Sequence, residues 1–230
     1  MDDSTILIYN VPLAQVIAKL KGHSEGITGL AFSSALNIMV SSGEDTQISF
    51  FLLQISLWNV PKWEKQKCKF LQIPDEKMQV ILSATYVQFH QDQTRFLLVN
   101  ETQLAICEAK ELKCLQQWTP VGPVISQATF SCDSQMVFAG FMDGTIFVFD
   151  ASKLELKCTV GCVIEAYPNA IASHPQKPTQ FAVGLTDGTV IVIEPQEPEG
   201  KWFVQPPDDV SVLQPPSLPE RSGLTKPMIE

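Results

Sequence analysis

Five times along the chain an acidic residue opens a tight turn into a short β-rich run, and this repetition constrains the fold more than any other feature. The segments are Asp3-Ser-Thr-Ile-Leu-Ile-Tyr9-Asn10, Asp45-Thr-Gln-Ile48, Glu101-Thr-Gln-Leu-Ala-Ile-Cys107-Glu108, Asp143-Gly-Thr-Ile-Phe-Val-Phe149-Asp150 and Asp187-Gly-Thr-Val-Ile-Val-Ile193-Glu194. The acids stand 42, 56, 42 and 44 positions apart. In four segments a large or apolar residue followed by a polar one falls six and seven places after the acid. Asp143-Gly144 and Asp187-Gly188 suit tight hairpins, because glycine takes positive φ at little steric cost. Asp45-Thr46 and Glu101-Thr102 are poorer turn formers, so those hairpins lean on packing.

A period in the low forties that closes on a Trp-Asp-like pair is the signature of WD40 β-propeller blades. The rest of each period supplies the other strands. Strand a is read at Ile27–Phe32, Tyr86–Phe89, Ile125–Phe130 and Ala170–Ser173. Strand b follows at Ile38–Ser42, Phe96–Val99, Met136–Gly140 and Gln180–Gly184. Strand c is the run after each acid. Strand d is read at Val16–Leu20, Lys67–Ile73, Lys113–Trp118, Leu156–Val160 and Lys201–Val204. Short β-branched and aromatic runs punctuated by turn residues point to an all-β fold. The expectation is an incomplete WD40 β-propeller over residues 1–204, about four blades of four-stranded antiparallel sheets. So few blades leave two radial faces open, so the chain is expected to be a fragment or short isoform of a longer propeller, with completion by another chain as the alternative. Residues 205–230 carry six prolines and few large apolar residues, which reads as a disordered, partly polyproline-II tail.

The first full repeat is seven residues too long. Asp45 to Trp58 is 13 positions where the other repeats need six, and Gln47-Ile48-Ser49 recurs as Gln54-Ile55-Ser56. Deleting Ile48–Gln54 restores the period. The surplus residues could be encoded by a pyrimidine-rich tract ending in CAG, so an upstream splice acceptor or a gene-model error is the expected origin, and a tolerated loop insertion the alternative.

The same repeat holds His23, Ser41, Asp45 and Trp58, a buried hydrogen-bond group in which an indole, a hydroxyl and an imidazole satisfy one another. His, Asp and Ser could also be read as a hydrolase triad, but no G-x-S-x-G elbow accompanies them. His90 and His174 fall in the turn after strand a, where Ser33 and Ser131 stand in the other repeats. No second ligand lies at zinc spacing from either. Asp3, Glu101, Asp143 and Asp187 are assigned to the blade turns. The expected protein-binding surface is the end of the blades built by the d–a and b–c loops, with Lys21, Glu25, Glu44 and Arg95 as candidates.

Net charge is −9, against a protein that tracks phosphates with a basic face. Six scattered cysteines form no C-x-x-C pair and read as reduced thiols. The N-terminus is acidic where a secretory leader is basic, and no apolar run approaches a membrane span. No catalytic residue, metal or cofactor is expected, and no small-molecule substrate, direct nucleic acid or membrane partner.

Several longer strings resemble the C-terminal propeller of the plant Topless and Topless-related transcriptional corepressors. They are Leu20-Lys-Gly-His23 followed by Ile27-Thr-Gly-Leu-Ala-Phe-Ser33, then Val87-Gln-Phe-His-Gln-Asp-Gln93, Ala128-Thr-Phe-Ser-Cys-Asp-Ser-Gln135 and Phe181-Ala-Val-Gly-Leu185, with Glu199-Gly-Lys-Trp202 before the proline tail. The resemblance runs from about residue 2 to 207. It implies a nuclear, non-enzymatic scaffold in negative regulation of transcription, with transcription factors, repressors or chromatin-modifying complexes as partners. The helical region through which that family binds short repression motifs has no counterpart in these 230 residues. A generic WD40 adaptor, in a ubiquitin ligase or a trafficking complex, is the alternative.

Overall fold

The computed structural model describes residues 4–44, 52–72, 85–120, 122, 124–160 and 166–194. The regular elements in them are all strands. β1 (Thr5–Asn10) and β2 (Gln15–Lys21) pair as a hairpin. Three four-stranded meanders follow: β3 (Ile27–Ser33), β4 (Ile38–Gly43), β5 (Leu52–Asn59) and β6 (Glu64–Gln72); β7 (Tyr86–Phe89), β8 (Arg95–Asn100), β9 (Gln103–Glu108) and β10 (Lys113–Trp118); β11 (Ile125–Phe130), β12 (Met136–Phe141), β13 (Ile146–Asp150) and β14 (Glu155–Val160). A three-stranded sheet closes the series: β15 (Pro168–Ser173), β16 (Phe181–Leu185) and β17 (Val190–Ile193). Every pairing is antiparallel between consecutive strands. These sheets are blades 1 to 5 of a WD40 propeller. Blade 1 shows strands c and d, and blade 5 shows strands a to c.

The burial pattern explains why strand b of blade 4 is apolar throughout while strand d of blade 3 alternates. Met136–Phe141 is buried at every position, whereas Lys113–Trp118 alternates between exposed and half-buried. Strand b lies between two neighbouring blades and must present apolar side chains on both faces; strand d is the outer edge. With a side-chain period of two, alternate residues go to opposite neighbours. Phe96 and Leu98 pack with Val40 and Leu57 of blade 2. Leu97 and Val99, one position along, pack with Phe130, Val137 and Phe141 of blade 4. Met136 and Phe138 face Phe181 and Val183 of blade 5, with the Phe138 and Phe181 rings stacked at 4.2 Å. Ile6 and Leu20 meet Met39 and Trp58 at the first seam. The molecule thus has one hydrophobic core per seam.

Close approach at the seams requires glycine at two places. A Cβ on Gly29 would lie 2.5 Å from Ser42 Oγ and 2.9 Å from the Thr85 carbonyl. One on Gly140 would lie 2.5 Å from Pro168 Cβ. The a–b turns of adjacent blades are also laced together. Ser33 Oγ donates to the Gln93 carbonyl at 2.8 Å, Gln93 Oε1 accepts from Ser34 Oγ and Ala35 N, and Gln91 N donates to Ser134 Oγ at 2.9 Å.

The c–d turns show what the second residue of each Trp-Asp-like pair does. Asn10 Oδ1 accepts from Leu13 N and Asn59 Oδ1 from Lys62 N, each at 2.9 Å. The Glu108 carboxylate accepts from Lys110 N and Glu111 N, and Asp150 Oδ1 from Ser152 N. Four residues after each of these, at Ala14, Trp63, Leu112 and Leu154, the chain adopts positive φ. A short polar side chain closing the turn offsets that backbone strain. The hydroxyl and N–H of Ser152 hold the Asp150 carboxyl down at about 2 against the opposing effect of burial, with Lys157 adding to the depression. Its folded value lies below the ordinary 3.8, so its stabilisation is complete above that pH and disappears as pH falls through about 2. The midpoint of thermal unfolding should therefore drop between pH 4 and pH 2, less steeply for Asp150→Asn; equal acid slopes would refute the assignment.

Three sequence expectations need adjustment. Strand b of blade 5 begins at Phe181 rather than Gln180 and runs to Leu185, because Gln180 N closes the preceding turn on Lys177 O and its own side chain reaches Glu194. Gln54 was placed in the seven-residue surplus, yet it pairs with Gly43 inside the β4–β5 ladder, and Leu52 and Leu53 pair with Gln72 and Leu71. The second copy of the Gln-Ile-Ser repeat therefore occupies the strand. Third, the strand d expected at Lys67–Ile73 begins earlier, at Glu64. Asp3, Asp45, most of the surplus, the strand expected at Lys201–Val204 and the tail 205–230 lie outside the described residues.

Candidate functional site

Blade 2 carries the polar group that binds the d–a loop to the blade interior. Trp58 Nε1 donates to Ser41 Oγ at 2.9 Å, and His23 Nε2 lies 2.7 Å from the same oxygen. All three residues are buried. Gly22 precedes His23 because a Cβ there would come within 2.8 Å of the Trp58 ring. The Gly22 carbonyl accepts from Gln54 Nε2 at 2.9 Å and Lys65 Nζ at 2.7 Å, and the Lys65 ammonium sits 5.9 Å from the Trp58 ring centre. Ser41 Oγ is covered by the indole and the imidazole, with no surface on which a substrate could reach it. Asp45 falls outside the described residues, so the described group is His23, Ser41 and Trp58.

His90 and His174 act as turn caps. His90 Nδ1 accepts from Asp92 N at 3.1 Å, and His174 Nδ1 accepts from Gln176 N and Lys177 N at 3.1 and 3.0 Å. In blades 2 and 4 the Ser33 and Ser131 hydroxyls fill the equivalent place, accepting from Leu36 N and Met136 N. Imidazole and hydroxyl interchange because the turn needs only a short acceptor. Among the described residues no group of His, Cys, Asp or Glu could hold a metal ion.

The turn acids divide. Asp143 Oδ1 accepts from Thr145 N and Oγ1, and Asp187 Oδ1 from Thr189 N, with Gly144 and Gly188 at positive φ between. In blade 3 the same service falls to Asn100, whose Oδ1 accepts from Thr102 N and Oγ1 at 3.1 and 3.0 Å. Glu101 lies in that turn at the place glycine takes in blades 4 and 5. Burial raises the Glu101 carboxyl above its ordinary range.

The four candidate binding residues do not share one end of the blades. Lys21 ends β2, Glu25 lies in the d–a loop, and Glu44 follows β4; all three belong to the d–a and b–c end. Glu44 N donates to the Gly26 carbonyl at 2.8 Å, and the Glu44 carboxylate stands over Gly26. Arg95 begins β8, just after an a–b turn, and so lies at the opposite end. Its guanidinium is held by Asp92, with Nε and Nη2 both 2.7 Å from Asp92 Oδ2. Burial works against the Asp92 charge, but hydrogen bonds from Thr94 and Arg95 outweigh it and depress the carboxyl far below its usual range. Strand direction decides this placement, and residue type does not reveal it.

Cys68, Cys107, Cys114, Cys132 and Cys158 are free thiols. Cys107 and Cys114 face each other across β9–β10. The hydrogen bond from Cys107 draws Cys114 down to about 7, against the opposing effect of burial and with help from Lys69, while Cys107 is driven up.

The family model for the WD domain, G-beta repeat, matches residues 14–51 and 112–150. Each match begins at or beside a strand d and runs into the next blade. Over 221 residues the chain is 52% identical to Topless-related protein 1 of Arabidopsis thaliana, covering 91% of this chain and 19% of that protein. It is 51% identical over 219 residues to Protein TOPLESS of the same plant, covering 90% and 19%, and 48% identical over 218 residues to Protein TPR3 of Oryza sativa subsp. japonica, covering 90% and 18%. The chain spans about a fifth of the length of these relatives. With its five successive blades and this identity along nine-tenths of its length, the chain belongs to the Topless and Topless-related family, within that family's WD40-repeat sequence.

Proposed function

We propose that this chain is a non-enzymatic protein-interaction scaffold of a Topless-type transcriptional corepressor, acting in the nucleus in negative regulation of transcription. The observation that carries the reading is the identity of about half the residues to Topless relatives across the blades. The blade architecture supports it: the strands are committed to stacking, and the loops at the two ends are left to meet partners. Transcription factors, repressors and chromatin-modifying complexes are the proposed partners. Lys21, Glu25 and Glu44 are proposed contacts at the d–a and b–c end. Asp45 is proposed to complete the His23–Ser41–Trp58 group.

The test is a reporter gene with the full chain tethered at its promoter. Reporter output should fall, and the combined Lys21→Ala, Glu25→Ala and Glu44→Ala variant should relieve the repression more than Arg95→Ala does. A tagged chain found outside the nucleus in a ubiquitin ligase or a trafficking complex, with no effect on the reporter, would overturn the proposal and favour the general adaptor.

A further inference from the structure

The seam between blades 3 and 4 opens, at the d–a and b–c end, into a cleft of about 70 Å³ lined by Tyr86, Asn100, Glu101, Ile125, Ser126 and Met142 among others. Its backbone frame is fixed. Ile125 N donates to the Glu101 carbonyl and Met142 N to the Val124 carbonyl, each at 2.9 Å. The frame therefore holds its shape without a ligand. Tyr86 and Met142, 39% and 44% exposed, offer an aromatic and a thioether surface at the rim. Behind the rim, the Ser126 hydroxyl is buried and has no hydrogen-bond partner among the described residues. Glu101 brings the carboxylate. Because Asn100 closes the turn, the Glu101 side chain is released from capping and remains beside the cleft.

An anionic group and an apolar rim on a rigid frame fit a flexible cationic side chain carried on an apolar stem. The ammonium would donate to Glu101 while its methylenes lie along Tyr86 and Met142. The chain's overall negative charge would favour approach of a basic segment. We infer that this cleft is a recognition site for an extended partner peptide, taking a lysine side chain flanked by apolar residues. The inference rests on the reading of the propeller as a protein-binding scaffold and deepens it to one site and one partner chemistry. Tyr86 at the rim and Met142 across from it would also gain contact area with the flanking apolar residues.

The experiment uses the full chain with carbon-13-labelled methionine methyl groups, the Met142 signal being assigned by its loss in Met142→Leu. Two capped heptapeptides serve as probes, identical except for lysine or norleucine at the centre, in an apolar context. The lysine peptide should shift the Met142 signal saturably, and the norleucine peptide, with the same four-carbon stem but no ammonium, should bind about tenfold more weakly. Glu101→Gln should lose about the same factor while keeping the wild-type thermal midpoint. Equal affinity for the two peptides, or no saturable shift with the lysine peptide, would overturn the inference. The comparison in the unaltered protein stands whether or not the Glu101 variant folds. A failure here with repression retained in the tethered reporter would remove the cleft and leave the scaffold.

Discussion

Trp58→Ala should lower the free energy of unfolding by about 3–5 kcal/mol, the range for deleting a large buried aromatic. The indole is 2% exposed and bridges three things at once: Met39, Ile6 and Leu20 at the first seam, the Ser41 hydroxyl, and the Gly22 backbone. Ser41→Ala should cost about 1–3 kcal/mol, because it leaves the buried indole N–H and the His23 imidazole without their shared partner. Trp58→Phe separates the two contributions, keeping most of the apolar contact and removing the donor. Its loss should resemble that of Ser41→Ala, and the double variant should cost less than the sum of the two, since both delete one hydrogen bond. Denaturant unfolding of the four proteins measures this. Additive losses would mean that the hydrogen bond contributes nothing of its own.

Gly140→Val should be nearly as severe, by the opposite mechanism. The new side chain must occupy space already filled by Pro168 and Ile171. Proline offers no rotamer that could move aside, so blade 5 has to shift away from blade 4. Overpacking of this kind costs about 1–3 kcal/mol, and more when the obstruction is rigid. The cost should fall on one seam. The stacked Phe138 and Phe181 rings should loosen, while the Trp118 cluster with Phe141, Phe147 and Phe149 moves less. Gly184→Ala is the control: a Cβ there would meet Ala170 at an ordinary 3.8 Å. Thermal unfolding of both variants decides it, and equal midpoints would show that the seam yields freely.

The strand plan was legible because blade stacking writes itself into the sequence. Met136-Val-Phe-Ala-Gly-Phe141 is apolar at every position since both of its faces are covered, and strands β7, β10 and β11 take the bounds expected of short runs between turn residues. Side-chain geometry within the turns was less legible. Asn100 and Glu101 are adjacent and both polar, and only the reach of each to Thr102 shows which one caps. Gln47-Ile-Ser and Gln54-Ile-Ser are identical strings, so the choice between them needs the strand partner Gly43. Arg95 and Glu44 are both charges at the end of a strand, and the chain direction there puts them at opposite ends of the blades. The His23–Ser41–Trp58 group was readable, since a Gly-His, a Ser and a Trp at those spacings have few other ways to be satisfied together. The cleft at Tyr86, Ser126 and Met142 left no sequence signal, because it joins residues of two blades whose only common property is the seam.

The lacing of the a–b turns by Gln93 and Ser134 has a consequence for how disturbance spreads. Each blade touches only the one before and the one after, so a loosened seam has two neighbours to inform and no third. Mutational damage in such a row is quarantined: a partner seated across blades 3 and 4 would be largely deaf to a lesion beside blade 1.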